Sequence, residues 1–235
     1  MTTSDSGPPR FPTGSGPLGI AGGIAGAIDG GLEPCWQCGR SVAARAFFCH
    51  SCGAVQPPRP LDPFTRLGLE ARFDIDLETL ARQHAGFSRS LDPNRFTARG
   101  ARQQANARAQ SDALTDAYET LRDPVRRARC LLALTGATPP PGLETADDAA
   151  AEDTAEDEEV AALARQLDAA QDVAAVDRLA GAVGQRIESC IKYLAIAFRN
   201  GQTDNALRIL ARLERLEALC ADARGRRAGL APKTP

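Results

Sequence analysis

Apolar residues in the second half of the chain recur at three- and four-residue steps, which is the spacing of one face of an α-helix. Asn200-Gly201 separates two such runs. The first consists of Val176, Ala180, Val183, Ile187, Cys190 or Ile191, Leu194 and Phe198, and the second of Leu207, Leu210, Leu213, Leu216 and Cys220. Two long antiparallel helices joined by a short turn satisfy both runs. The spacing predicts a helical bundle over about residues 158–226, followed by a tail at residues 227–235.

Capping residues indicate a second helical region between residues 61 and 136. Asp76 can cap a helix that ends near Leu91, and Asp92-Pro93-Asn94 then interrupts the pattern, because the residue before a proline disfavours helical geometry. A longer helix is expected from about residue 101 to 121. Asp123-Pro124 places a cap before a proline at the first helical position, so it predicts a further helix that ends near residue 136.

Composition separates these regions from the rest of the chain. Residues 1–34 are rich in Gly, Pro and Ser and predict a disordered leader, and the apolar run within them is too short to span a bilayer. Residues 144–159 hold nine acids and no bases after a run of three prolines, which predicts an acidic, Pro-rich linker over residues 137–157. The net charge of −2 gives no reason to expect nucleic acid or a membrane surface as a partner.

Four of the seven cysteines form two Cys-x-x-Cys-Gly motifs, at Cys35 and Cys38 and at Cys49 and Cys52. Two thiolates on one tight turn can reach the same ion, and four sulfurs complete the closed tetrahedral shell of a structural zinc site. We therefore predict a zinc module over residues 35–58, with a small core of Trp36, Phe47 and Phe48. Disulfides, free thiols or a rubredoxin-like iron site are the alternatives.

Residues 62–69, Asp-Pro-Phe-Thr-Arg-Leu-Gly-Leu, resemble the opening of the HscB co-chaperones. Residues 114–136, which run from Leu-Thr-Asp-Ala-Tyr-Glu to Leu-Ala-Leu-Thr-Gly, are similar to the last two helices of the HscB form of the J-domain. The cysteine motifs are similar to the zinc-binding extension of mitochondrial-type HscB proteins. This resemblance implies a mostly α-helical fold with a small zinc-knuckle module, a J-domain helical hairpin at residues 61–136 and a C-terminal helical bundle.

The resemblance implies a co-chaperone and not an enzyme. In the family, the J-domain docks on a DnaK-type ATPase chaperone, and the C-terminal helices present an iron–sulfur scaffold protein of the IscU type to that chaperone. The cysteines are too sparse for a secreted disulfide framework, so we expect a reducing, cytoplasmic location. A nucleic-acid binder would need a basic, aromatic surface beside the cysteines, and the sequence does not support one. A redox enzyme would need a nucleophile–base pair, and the sequence does not support that either.

The family's His-Pro-Asp motif falls on Asp92-Pro93-Asn94 here. Arg82 and Arg89, seven residues apart on the preceding helix, match the family's basic chaperone-binding face, although an ordinary solvated stripe would look the same. These five residues are the candidate chaperone-binding site. The changes in the motif leave open an alternative function, a J-like interaction protein that no longer stimulates an ATPase.

The family's scaffold-binding patch, Leu-Met-Glu early in the C-terminal region, also differs in this chain. We find only Val160, Leu163 and Leu167, in an acidic setting, and Arg215 stands where the family carries an aromatic residue on its last helix. The sequence therefore predicts the C-terminal architecture of the family, and it leaves open whether the scaffold-binding face survives in altered form.

Overall fold

The structure is a computed structural model that describes residues 31–137 and 155–230. The predicted leader up to residue 30, the predicted linker up to residue 154 and the last five residues of the predicted tail lie outside the described residues. Within the described ranges, no helix is long and apolar enough to cross a membrane.

The architecture is mostly α-helical, as the sequence predicts. Two short antiparallel strands come first, and a 3₁₀ helix lies between the second and third α-helices. In chain order the elements are β1 (Leu32–Pro34), β2 (Ser41–Ala43), α1 (Pro63–Leu67), α2 (Leu77–Ser90), the 3₁₀ helix (Pro93–Arg99), α3 (Ala101–Arg122), α4 (Pro124–Leu134), α5 (Ala155–Ala169), α6 (Val173–Arg199) and α7 (Thr203–Leu230).

The helix starts follow the predicted caps. Asp76 Oδ1 accepts a hydrogen bond of 3.0 Å from the Glu78 N–H at the start of α2, and Asp123 Oδ1 accepts one of 2.8 Å from the Arg126 N–H at the start of α4. Each carboxylate satisfies a backbone donor that has no partner inside the helix. Gly136 ends this region with a φ of 72°, in the left-handed region that favours glycine.

Three observed element boundaries differ from the predicted ones. The cysteine module (residues 32–56) starts at Leu32, inside the predicted leader, because β1 pairs with β2. Helix α5 starts at Ala155, inside the predicted linker, and α7 continues to Leu230, past the predicted end at residue 226. In that last turn Arg227 pairs with Asp177 of α6 at 2.7 Å, so side-chain contacts extend the helix beyond its apolar periodicity.

The helices α1–α4, which we call the J-domain, share one continuous apolar core with α5–α7, which we call the C-terminal bundle. In the bundle α6 and α7 form the predicted antiparallel pair, and α5 packs across both. Fully buried residues of this core include Phe64, Leu67, Leu80, Leu114 and Leu121 in the J-domain and Leu194, Leu213 and Leu216 in the bundle.

Candidate functional site

The two cysteine motifs fold into matching turns. The Gly39 N–H donates to the Cys35 carbonyl at 2.9 Å, and the Gly53 N–H donates to the Cys49 carbonyl at 2.8 Å. Both glycines have a φ near +70°, which a residue with a side chain adopts only at a cost. The glycine after each motif therefore closes the turn that points two sulfurs to one side.

The four sulfurs lie within 4.8 Å of one another. The Cys35–Cys52 and Cys38–Cys49 sulfur distances are 3.8 and 3.7 Å, and none of these cysteines is in a disulfide. A zinc–sulfur distance of about 2.3 Å gives a tetrahedron with edges of about 3.8 Å. The cysteines are thus positioned to bind a metal ion, with Cys35 and Cys49 buried and the other two exposed.

The surroundings of the sulfurs favour thiolates at two of the four positions. Burial would raise the pKa of the Cys35 thiol, but N–H donors from Cys38, Gln37 and the Gln56 side chain lower it to about 6. The Cys52 N–H lowers the pKa of Cys49 in the same way. The Ala54 N–H lowers the pKa of Cys52, but the loss of water around its sulfur and the three neighbouring cysteines outweigh that effect and raise the pKa to about 12. A bound cation would offset the repulsion between thiolates that lie this close together.

Buried side-chain amides of α3 fasten the cysteine module to the J-domain. Gln103 Oε1 accepts the Val55 N–H at 2.8 Å, while its Nε2 donates to Gln37 Oε1 at 2.8 Å. Asn106 donates to the Val55 carbonyl at 2.9 Å and Gln110 to the Gln56 carbonyl at 3.0 Å. Sequence reasoning missed this stripe, although three amides at positions i, i+3 and i+7 on a core-facing helix were a signal.

The prediction that Phe47 and Phe48 form the core of the cysteine module is wrong. Phe47 packs edge-on against Phe87 of α2 at 5.1 Å, and Phe48 stacks on Phe96 of the 3₁₀ helix at 6.3 Å between ring centroids. The module is too small to enclose both rings, so it buries them on its neighbour. Its own core consists of Cys35, Val42, Cys49 and Ala54, with Trp36 packed against it.

The DPN loop (Asp92, Pro93 and Asn94) lies between α2 and the 3₁₀ helix. Asp92 Oδ1 accepts the Asn94 N–H at 3.0 Å, so this carboxylate serves as a helix cap. The Asn94 side chain is exposed, and Arg95 donates from its guanidinium to the Arg89 carbonyl at 2.9 Å. The loop is therefore presented to solvent in a conformation that local hydrogen bonds define.

Arg82 and Arg89 are both exposed on α2, as the sequence predicts. Arg82 lies 3.7 Å from Asp76 and 3.6 Å from Glu78, so its charge is partly compensated within its own helix. Exposed pairs of this kind contribute little to stability and break easily. Their role in binding a chaperone stays a prediction.

Val160, Leu163 and Leu167 of α5 are buried in the bundle core, where they cannot form a scaffold-binding patch. The junction between bundle and J-domain lies elsewhere. Phe198 of α6 is half-buried, and its ring stacks on that of Phe73 with 5.3 Å between the ring centroids. The guanidinium of Arg127 lies over the Phe73 ring, 4.7 Å from its centroid. The two regions are therefore held in contact by stacked rings and a cation.

Two HscB co-chaperones resemble this chain in sequence, one of them along most of its length. "Iron-sulfur cluster co-chaperone protein HscB" of Mus musculus is 27% identical over 198 residues, which is 83% of this chain and 82% of the mouse protein. "Co-chaperone protein HscB" of Proteus mirabilis is 37% identical over 76 residues, 32% of this chain and 44% of that protein. No protein-family model matches the chain.

The fold has a counterpart among solved structures. "Crystal structure of human co-chaperone protein HscB" superposes with a TM-score of 0.73 and 24% sequence identity, over 84% of this chain and 100% of that chain. That coverage includes both the J-domain and the C-terminal bundle. By sequence and by fold, the chain is therefore similar to the HscB co-chaperones.

Proposed function

We propose that this protein is a co-chaperone of iron–sulfur cluster assembly that binds a DnaK-type ATPase chaperone through its J-domain and presents an IscU-type scaffold protein to it. The observation that carries the proposal is the likeness to named HscB co-chaperones over both regions that such a role needs, a J-domain and an attached bundle. The protein acts by bringing two partners together, and the ATP hydrolysis is the work of the chaperone.

The metal that we propose for the four cysteines is zinc in a structural role. Zinc would be held by Cys35, Cys38, Cys49 and Cys52, and four sulfurs leave no open ligand position for a reaction. The group supplies folding free energy when bound. The sulfur distances suit zinc but would also suit iron, so the metal content must be measured.

The chaperone-binding site that we propose comprises the DPN loop, Arg82 and Arg89. In the family, the aspartate of the loop is an anion that meets an arginine of the ATPase. Here Asn94 occupies that place without a charge, and the carboxylate of Asp92 is engaged as a cap. This supports the alternative, a J-like interaction protein that no longer stimulates the ATPase. A matching change in the partner would restore the contact.

The test is ATP turnover by the DnaK-type chaperone of the source organism, with and without this protein and an IscU-type scaffold. We expect weak stimulation by the unmodified protein and stronger stimulation after Asp92→His with Asn94→Asp. Losing one partner of such a charged pair costs about 2–5 kcal/mol, which is about thirty-fold or more in coupling. The matched control is Asp204→His with Asn205→Asp, the same chemistry at the start of α7.

Full stimulation by the unmodified protein, unchanged by the loop substitution, would show that the DPN loop is not impaired. If neither form binds the chaperone and neither binds the scaffold, the co-chaperone role itself is refuted. The cytoplasmic location expected from the cysteines stays a prediction and can be checked by fractionation.

A further inference from the structure

The DPN loop has a long-range support that comes from the cysteine module. Phe96, two residues beyond Asn94, is the buried residue of the 3₁₀ helix, and the ring that stacks on it belongs to Phe48. The hydrogen bonds at the loop are all local. The Asn94 N–H donates to Asp92, the Thr97 hydroxyl to the Asn94 carbonyl, and the Arg95 guanidinium to the Arg89 carbonyl near the end of α2. The stack with Phe48 therefore ties the loop to a distant part of the chain.

The position of Phe48 depends on the second cysteine turn. Phe48 directly precedes Cys49 and pairs with Val55 across that turn. The Cys49 N–H donates to the Ala54 carbonyl at 2.9 Å and closes the same turn. A metal ion held by the four sulfurs would fix this turn, and with it the Phe48 ring that contacts the 3₁₀ helix.

Two further contacts connect the module to the start of α3, directly behind the loop. The Arg102 guanidinium lies 4.3 Å from the ring centroid of Trp36, and Gln103 holds the backbone of Val55. Cation–aromatic contacts and buried amide bonds fix relative position as well as adding stability. The module is thus attached both to the 3₁₀ helix and to the start of α3, which follows it.

We propose that the cysteine module positions the DPN loop through Phe48, so that metal binding at the four cysteines strengthens binding of a DnaK-type chaperone at the loop. Phe48 is a positioning residue in this proposal, because it acts through Phe96 and offers no ligand atom to the metal. The proposal rests on the function proposed above for the loop.

Two measurements on the full-length protein test this, with zinc bound and after its removal by a chelator. The first is hydrogen–deuterium exchange of the amides of residues 94–99, and the second is the dissociation constant for the DnaK-type chaperone. The variants are Phe48→Ala, Phe48→Leu as a conservative rescue, and Phe47→Ala as a matched control, because Phe47 packs on α2 and not on the 3₁₀ helix.

We expect Phe48→Ala to keep one zinc per chain and its helical content, and to raise exchange at residues 94–99 and weaken chaperone binding by roughly two- to tenfold, the range that one aromatic pair supplies. Phe48→Leu should restore most of the slow exchange and most of the chaperone binding. Phe47→Ala should alter both quantities less than Phe48→Ala does. Removing zinc should weaken chaperone binding by the unmodified protein. In Phe48→Ala, removing zinc should cause little further loss of binding.

An equal effect of zinc removal in Phe48→Ala and in the unmodified protein would overturn the proposal, because the metal would then act by another route. Unchanged exchange at residues 94–99 in Phe48→Ala would overturn it as well. The exchange measurement needs no partner. If the protein binds no chaperone, the proposed function is refuted, but the exchange data still decide whether the module positions the loop.

Discussion

The cysteine module and the C-terminal bundle both pack on the J-domain, but they do so through different chemistry. The module is held by side-chain amides of α3 that pair with its backbone, together with two aromatic pairs. The bundle is held by the Phe73–Phe198 stack, by Arg127 and by an ion pair of 2.8 Å between Arg129 and Glu214.

The difference follows from what each region can bury by itself. The core of the module has four buried residues, two of which are cysteines, so it depends on a metal and on a firm attachment. The bundle buries long apolar faces of three helices, so we expect its own packing to supply most of its stability. We therefore expect metal loss to disrupt the module alone, and mutations at the bundle junction to leave the module intact.

The largest effect should come from Cys49→Ser, which removes a buried ligand. Structural zinc supplies about 10–16 kcal/mol of apparent binding free energy in small zinc-folding peptides, so its loss should unfold the module. Elemental analysis should give one zinc per chain for the unmodified protein and little for the variant, with helical circular dichroism retained. Cys130→Ser, outside the four-sulfur group, is the control and should keep the metal.

Two results would contradict this picture. A metal content near zero in the unmodified protein, with all four thiols reduced, would remove the zinc site. Iron at one per chain would support the rubredoxin-like alternative instead. A collapse of the α-helical signal in Cys49→Ser would mean that the J-domain depends on the module for its own folding.

The next largest effect is expected for Phe198→Ala at the junction with the bundle. A fully buried phenylalanine would lose about 3–5 kcal/mol, but Phe198 is half-buried, so we expect about 2 kcal/mol in urea unfolding. The zinc content should not change. Tyr193→Ala, on the exposed side of the same helix, is the control. Intact stability with loss of scaffold binding would instead place Phe198 on a partner surface.

Gln103→Ala should weaken the attachment of the module. The variant leaves the buried Val55 N–H without its acceptor, and an unsatisfied buried donor costs about 1–3 kcal/mol. The expected readout is faster hydrogen exchange across residues 32–56, with exchange in α6 and α7 unchanged. Gln104→Ala, the next residue on the same helix, should have little effect. Equal effects of the two variants would show that the amide stripe does not hold the module.

The smallest effect should come from Glu159→Gln in the bundle. A hydrogen bond from Arg186, aided by the charges of Arg186 and Arg212, lowers the pKa of Glu159, so the carboxylate stabilises the fold at neutral pH. That contribution disappears as the pH falls below the ordinary value of 4.5 and through the lowered pKa. The side chain is 40% exposed, so we expect at most about 1 kcal/mol.

Urea unfolding at pH 7 and at pH 3 tests this prediction. The variant should be less stable than the unmodified protein at pH 7, and the difference should shrink towards pH 3, as the native carboxyl group takes up a proton. Glu158→Gln, whose pair with Arg165 is more exposed, is the control. A difference that is the same at both pH values would exclude a charge effect.

The sequence by itself determined the features that depend on neighbouring residues. Caps such as Asp76 and Asp123, the break at Asn200-Gly201 and the apolar spacing of α6 and α7 define where helices begin, end and face. The cysteine turns are local in the same sense, because two sulfurs and a glycine lie within five residues. These signals made the fold class and the grouping of the four sulfurs predictable.

Only the tertiary structure decided which surfaces meet. Phe47 and Phe48 read as a small core in the sequence, yet they pack on a neighbouring domain, and Val160 lies in a core where a binding face was sought. The hydrogen bond from Val55 to Gln103 joins residues 48 positions apart. Apolar periodicity states that a face is buried but not which partner buries it, because many packed arrangements satisfy the same pattern.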